Sequence, residues 1–191
     1  MANQLDKKRF WDREAGRNYF FQRDHDFMRD YLAQHIGNRN LDLGGGSNSE
    51  SYVPGSAVLD ISFEALAKNP AQRKVVFNLD SISLGNKLPF YDREFDSVTM
   101  RSVWQYLRFP FDLLKELKRV VLIGSQVFII GVNDLTCEDT GIAERSSKIR
   151  EIEREIQQAG YQTKLDWIGK SQRRRRFLRT RLKIGCVRVR L

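Results

Sequence analysis

Asn40-Leu41-Asp42-Leu43-Gly44-Gly45-Gly46-Ser47 is the stretch whose reading decides the fold. A short apolar run carrying one acid ends in three glycines, so a strand runs straight into a tight turn with bare backbone. Ala57-Val58-Leu59-Asp60 repeats the apolar run with an acid at its close. Ser62 then stands where it can cap a helix over 63–68, which Asn69-Pro70 stops. Lys74 to Leu79 reads as a third strand, closed by Asp80, and Phe95 to Met100 as a fourth. Leu113, Leu114, Leu117, Val120 and Val121 share one face of a helix over 111–121. Ser125 to Gly131 is a fifth strand, apolar throughout most of its length, as a strand buried on both faces should be. A helix over 141–159 follows, with Ile149, Ile152 and Ile156 on one side and Gly160 as its stop. Residues 161–168 and 183–191 read as two closing strands.

Upstream of the deciding stretch, Met28, Leu32 and Ile36 form an i, i+4, i+8 stripe, which predicts a helix over 25–36 ended by Gly37. Residues 1–24 are charged with interleaved aromatics (Phe10, Trp11, Tyr19, Phe20, Phe21) and read as an N-terminal helical arm. Strand and helix alternating in this rhythm mean a mostly parallel α/β sheet with helices on both faces. Ligands on such sheets sit beyond the carboxyl ends of the strands, at the switch point after the first strand. Asp42, Asp60 and Asp80 then line one rim beside the glycine turn, since neighbouring strands lie about 4.8 Å apart. A single acid there is ordinarily a cap or a solvated strand end. Three, one per successive strand, suit a ligand that offers hydroxyls and amines.

The chain has 191 residues, 41% hydrophobic and 30% charged, enough for one domain with a proper core. No apolar run approaches the length of a membrane span, and the first residues carry no apolar signal core, so the cytoplasm is the expected location. Cys137 and Cys186 are isolated, and His25 and His35 are the only histidines, so neither a disulfide framework nor a metal centre is expected. The net charge is +9. Lys164 to Leu191 holds eleven Lys and Arg against Asp166 alone, so the whole excess sits in the last 28 residues. Seven of those bases fall in Lys170–Arg181, between the last two strands. A charge run is usually a solvated loop. Clustered arginine near a ligand would instead favour an anionic one: RNA, through Arg173, Arg174, Arg175 and Arg176, a phosphorylated small molecule or an anionic lipid surface.

Leu41-Asp42-Leu43-Gly44-Gly45-Gly46-Ser47-Asn48, Val58-Leu59-Asp60-Ile61-Ser62, Asn78-Leu79-Asp80-Ser81 and Leu88-Pro89-Phe90…Phe95-Asp96-Ser97-Val98 occur in that order and spacing. Together they resemble the class I S-adenosylmethionine-dependent methyltransferases, in a methyltransferase type 11-like form, from about Asn40 to Asp134. The chain departs from that pattern at the third glycine, where Asn48 or Ser49 stands, in a short first crossover, and at Trp104-Gln105-Tyr106, where relatives often carry histidines. The resemblance implies a Rossmann-like three-layer sandwich with a seven-stranded, mostly parallel sheet and an antiparallel last strand. It implies one methyltransferase domain over 1–191: a helical arm (1–36), a cofactor-binding core (37–136), and a C-terminal helix with a basic strand hairpin (137–191).

The resemblance also implies S-adenosyl-L-methionine as cofactor and, since that form covers mainly small-molecule enzymes, a small or anionic acceptor. Asp42 with Gly44, Gly45 and Gly46 would hold its methionine part and Asp60 its ribose. Ile61, with Ile82, would sandwich adenine, and Asp80 with the Ser81 amide would read the adenine edge. Met100 and Arg101 would face the methionine end and the acceptor. No catalytic base is assigned, because an activated methyl needs mainly positioning and exclusion of water. Trp11, Tyr19 and Phe20 fold over the site or simply dock the arm. Trp104 lines the acceptor pocket or packs in the core. The competing expectations are a nicotinamide-binding domain and a non-catalytic or RNA-directed module of the same fold.

Overall fold

The computed structural model describes residues 4–14, 22–47, 55–132, 148–175 and 178–191. Its elements run α1 (Gln4–Glu14), α2 (Gln22–Ala33), β1 (Asn40–Leu43), β2 (Ala57–Asp60), α3 (Phe63–Lys68), β3 (Arg73–Val76), β4 (Phe95–Arg101), α4 (Pro110–Val120), β5 (Val121–Val132), α5 (Ile149–Gln158), β6 (Thr163–Arg175) and β7 (Leu178–Arg190). Two 3-10 segments, Leu79–Leu84 and Trp104–Tyr106, follow β3 and β4. The seven strands form one sheet in the order β3-β2-β1-β4-β5-β7-β6. β1 to β5 are parallel neighbours, and β7 is antiparallel to both β5 and β6. The strand order reverses between β1 and β4, which puts the switch point beside the glycine turn.

The sheet's two faces are built differently. Leu41 and Leu43 of β1, Leu59 of β2, Val98 and Met100 of β4, Val127 and Ile129 of β5, and Val187 and Val189 of β7 join one apolar core with α4 and α5. The residues between them point the other way, because strand side chains alternate. There Phe128, Ile130, Ile184 and Cys186 pack under Met28 and Leu32 of α2, and Val58 packs with Leu66 of α3 and with Ala71. Between those two apolar patches, β1 and β4 present Asn40, Asp42, Ser97, Thr99 and Arg101, all buried.

The structure corrects several expected boundaries. α2 begins at Gln22 and ends at Ala33, because the Leu32 carbonyl accepts the N–H groups of both His35 and Ile36 and closes the helix before Gly37. β3 ends at Val76, so Asp80 does not close a strand; it lies in the first turn of the Leu79–Leu84 segment. Asn78 causes this, its side chain accepting the Asp80 N–H and starting a turn. β5 begins directly after α4 at Val121, passing Gly124 with φ 82° before it resumes regular register at Gln126. The helix expected over 141–159 begins only at Ile149, where Lys148 is extended; residues 141–147 are outside the described ones. The basic segment expected as a connecting loop is instead paired backbone, β6 and β7 running together from Thr163↔Val189 to Arg175↔Leu178. No helix among the described residues is long and apolar enough to cross a membrane.

Candidate functional site

Asp42 is 1% exposed and anchors the polar strip of β1 and β4. The Thr99 hydroxyl donates to its Oδ1 at 2.9 Å, and Arg101 Nη2 donates to its Oδ2 at 2.5 Å. Thr99 Oγ1 also accepts from Asn40 Nδ2 at 3.0 Å, and the same amide donates to Ser56 at 2.9 Å. Cross-strand register makes the chain possible, since Asp42 pairs with Thr99 and Asn40 with Ser97. Arg101 is 7% exposed, and its Nε and Nη1 are buried with no hydrogen-bond partner among the described residues. Two orphaned guanidinium nitrogens in a buried site are costly and call for an acceptor.

The glycines of the turn serve different ends. A Cβ on Gly44 would meet Val103 at 2.3 Å, and one on Gly45 would meet Val58 at 2.6 Å and Asp42 at 2.8 Å, so these two are bare because the protein packs against them. Gly46 has φ 57° and nothing nearer its Cβ position than Asp60 Oδ2 at 4.0 Å. Among the described residues only that acid comes near it. Its N–H donates to that acid at 2.9 Å, and the Ser62 N–H donates to the other Asp60 oxygen at 2.8 Å. Burial pushes the Asp60 carboxyl up to about 6, against the pull of the Ser62 and Gly46 N–H groups and with Asp42 repelling its charge. Each oxygen keeps a lone pair for a hydroxyl. Ser62 caps α3 as expected, its hydroxyl accepting the Ala65 N–H at 3.1 Å.

Asp80 is held differently. Its Oδ1 accepts the Arg108 N–H at 2.8 Å and its Oδ2 the Lys7 ammonium at 3.0 Å. The Ser81 N–H, expected to read a base edge, is spent on the Asn78 carbonyl, because the chain has turned into a 3-10 segment there. Ile61 and Ile82 are half-buried, whereas Met100 is fully buried in the apolar core. Trp104 is also core, wholly buried, with its indole N–H donating to Glu155 at 3.0 Å. Trp11 lies edge-on to Tyr106, with ring centres 4.9 Å apart; Tyr19, Phe20, Asn48 and Ser49 lie outside the described residues.

Sequence reading missed Thr99, Lys7 and Asp12. Thr99 had a signal: Ser97, Thr99 and Arg101 alternate with Val98 and Met100 along β4. Lys7 and Asp12 had none, since a charged helix with a weak apolar stripe does not say which base turns inward.

Residues 41–129 match the methyltransferase domain family. No curated protein matches the chain. A SAM-dependent methyltransferase of Thermotoga maritima superposes with a TM-score of 0.63 at 15% identity, over 98% of this chain and 95% of its own. One of Archaeoglobus fulgidus gives 0.61 at 12% identity, over 89% and 94%. The [4+2]-cyclase SpnF gives 0.61 at 13% identity, over 88% and 80%, so the fold also carries other chemistry. The described residues suit the family's cofactor. Asp60 offers acceptors for a diol beside Gly46, and the orphaned N–H groups of Arg101 offer a carboxylate two charged donors. Residues 41–129 thus match a methyltransferase domain, set in a chain with the fold of these S-adenosylmethionine-dependent methyltransferases.

Proposed function

We propose that the chain transfers a methyl group from S-adenosylmethionine to an anionic acceptor held between the strand rim and the β6–β7 hairpin. The observation that carries this reading is where the hairpin goes. β7 pairs with the last residue of β5 at Val132↔Ile184, and the hairpin continues beyond it to Arg175↔Leu178. It therefore runs past the carboxyl ends of the parallel strands, the side on which the acids stand. Residues 170–175 and 178–183 of that extension hold seven Lys and Arg. Such a charge draws in an anion and raises its local concentration at the rim.

In this reading Asp60 accepts the ribose hydroxyls and Arg101 takes the methionine carboxylate through Nε and Nη1. Gly46 lets the ligand approach the backbone, with Asp42 holding Arg101 and Gly44 and Gly45 shaping the turn. Ile61 and Ile82 flank the base, and Asp80 accepts its exocyclic amine. Met100 backs β4 from the core side. Bound there, S-adenosylmethionine supplies an electrophilic methyl, so the protein's task is alignment and exclusion of water. RNA is a second reading of the acceptor, favoured by the pairing of Lys170 with Lys183 and Arg174 with Arg179 along the hairpin.

The test is methyl transfer from labelled cofactor to anionic acceptors, RNA oligonucleotides included. Replacing Arg173, Arg174, Arg175 and Arg176 with Gln should cut transfer at low salt while S-adenosylhomocysteine binds as before. Transfer that ignores both salt and the four replacements would overturn the anionic acceptor.

A further inference from the structure

Lys7 has no part in the chemistry above, yet it is 6% exposed and sits on an acid of the rim. Its ammonium is 3.0 Å from Asp80 Oδ2 and 2.9 Å from the Tyr106 carbonyl. A second point ties the same helix down: the Ser62 hydroxyl donates to Asp12 Oδ1 at 2.7 Å. Ser62 is the residue whose N–H holds Asp60. α1 thus reaches from the neighbourhood of one rim acid to the carboxylate of another. Both anchors are charge-assisted. Although burial works against it, hydrogen bonds from Lys8 and Ser62 hold the Asp12 carboxyl below its ordinary range.

We propose that Lys7 competes with the base amine of the ligand for Asp80, and so sets the affinity and the base selectivity of the adenine subsite. The inference rests on the reading above that Asp80 accepts the exocyclic amine. A carboxylate has about four lone-pair positions, so sharing is possible in the open. Asp80 is 7% exposed, with one donor already on each oxygen, so an incoming amine meets the ammonium in a crowded approach. An incoming amine displaces the ammonium, and α1 shifts with it. Because an ammonium–carboxylate bond is stronger than an amine–carboxylate bond, the pair lowers affinity for any ligand that must break it. A base with an oxygen in place of the amine cannot donate to Asp80, but it can accept from Lys7. Lys7 therefore narrows the site's preference for an amino base over an oxo base.

The experiment is calorimetric titration of the full chain with S-adenosylhomocysteine and S-inosylhomocysteine. Lys7→Met should bind S-adenosylhomocysteine about tenfold tighter, the worth of one charge-assisted hydrogen bond less its neutral replacement. The preference for the amino base over the oxo base should widen in the same variant. Asp12→Ala, which loosens α1 but keeps the Lys7–Asp80 pair, should tighten binding less. It supplies the answer should Lys7→Met fail to fold. Weaker or unchanged S-adenosylhomocysteine binding in both variants overturns the proposal and makes α1 a closing element. Asp80→Asn placed in the Lys7→Met chain separates the two levels. If it leaves S-adenosylhomocysteine affinity and base preference untouched, it is the reading of Asp80 that fails.

Discussion

The two faces of the central sheet lie a strand's thickness apart and obey different rules. Toward α4 and α5, Leu41, Leu43, Val98, Met100, Val127 and Ile129 meet only other apolar groups. Any one of them can shrink and its neighbours close part of the gap. Toward α2 and α3, the middle of the sheet is a chain of polar groups running Ser56, Asn40, Thr99, Asp42, Arg101. Each member is buried, so each depends on its partner, and removing one strands the next. The rim proposed to carry the cofactor is the end of this second face. Its geometry is inherited from a hydrogen-bonded strip inside the fold rather than from surface loops.

The largest expected effect breaks that strip at its charged end. Arg101→Met leaves the Asp42 carboxylate buried without its cation, which should cost about 3–5 kcal/mol in urea unfolding. Restoring neutrality with Asp42→Asn in the same chain should recover much of the loss, whereas S-adenosylhomocysteine affinity should stay low in both. A loss below about 1 kcal/mol would mean that the pair is solvated and the contrast between the faces is false.

Asp60 gives the next largest effect, through pH. Its folded value of about 6 lies above the ordinary carboxyl value of 3.8, so the folded chain binds the proton more tightly than the unfolded one. The acid therefore lowers stability as pH rises through that window, and the full cost is present above about 6. That difference corresponds to roughly 3 kcal/mol. Asp60→Asn should abolish the slope. Stability of the parent minus that of Asp60→Asn should fall by this order between pH 4 and pH 7, and a flat difference would refute the buried-acid assignment.

What the sequence disclosed follows the same division. β1, the glycine turn, β2, the Ser62 cap and α3 were legible because their signals are local: a short apolar run, glycines, a hydroxyl before a helix. The apolar face was legible from periodicity. The partners on the polar face were not, because hydrogen bonds across strands depend on register, and register is a property of the assembled sheet. Asn78 shows a middle case: its turn-forming side chain stands in the sequence, but the apolar Lys74–Leu79 run outweighed it and carried the strand too far. The arginine run misled in the other direction. Charge made it read as loop, although an edge hairpin needs only backbone pairing, and Lys and Arg are what guard such an edge from wrong partners.

The smallest expected effect compares the two faces at matched positions. Thr99→Val keeps the shape of the side chain and removes one hydroxyl, which takes a donor from Asp42 and an acceptor from Asn40 at once. Two buried groups left unsatisfied should cost about 1–3 kcal/mol. Ile129→Val, on the apolar face of the neighbouring strand, removes one methyl and should cost about 0.5–1.5 kcal/mol. The ligand separates them further. Freed of Thr99, Asp42 can rotate toward Arg101 and draw the guanidinium away from the rim, so Thr99→Val should weaken S-adenosylhomocysteine binding. Ile129→Val lies on the far side of the sheet from that chain of bonds and should leave binding unchanged. Equal losses of affinity in the two variants would show that the rim answers to sheet packing as a whole, and the polar strip would lose its claim to position it.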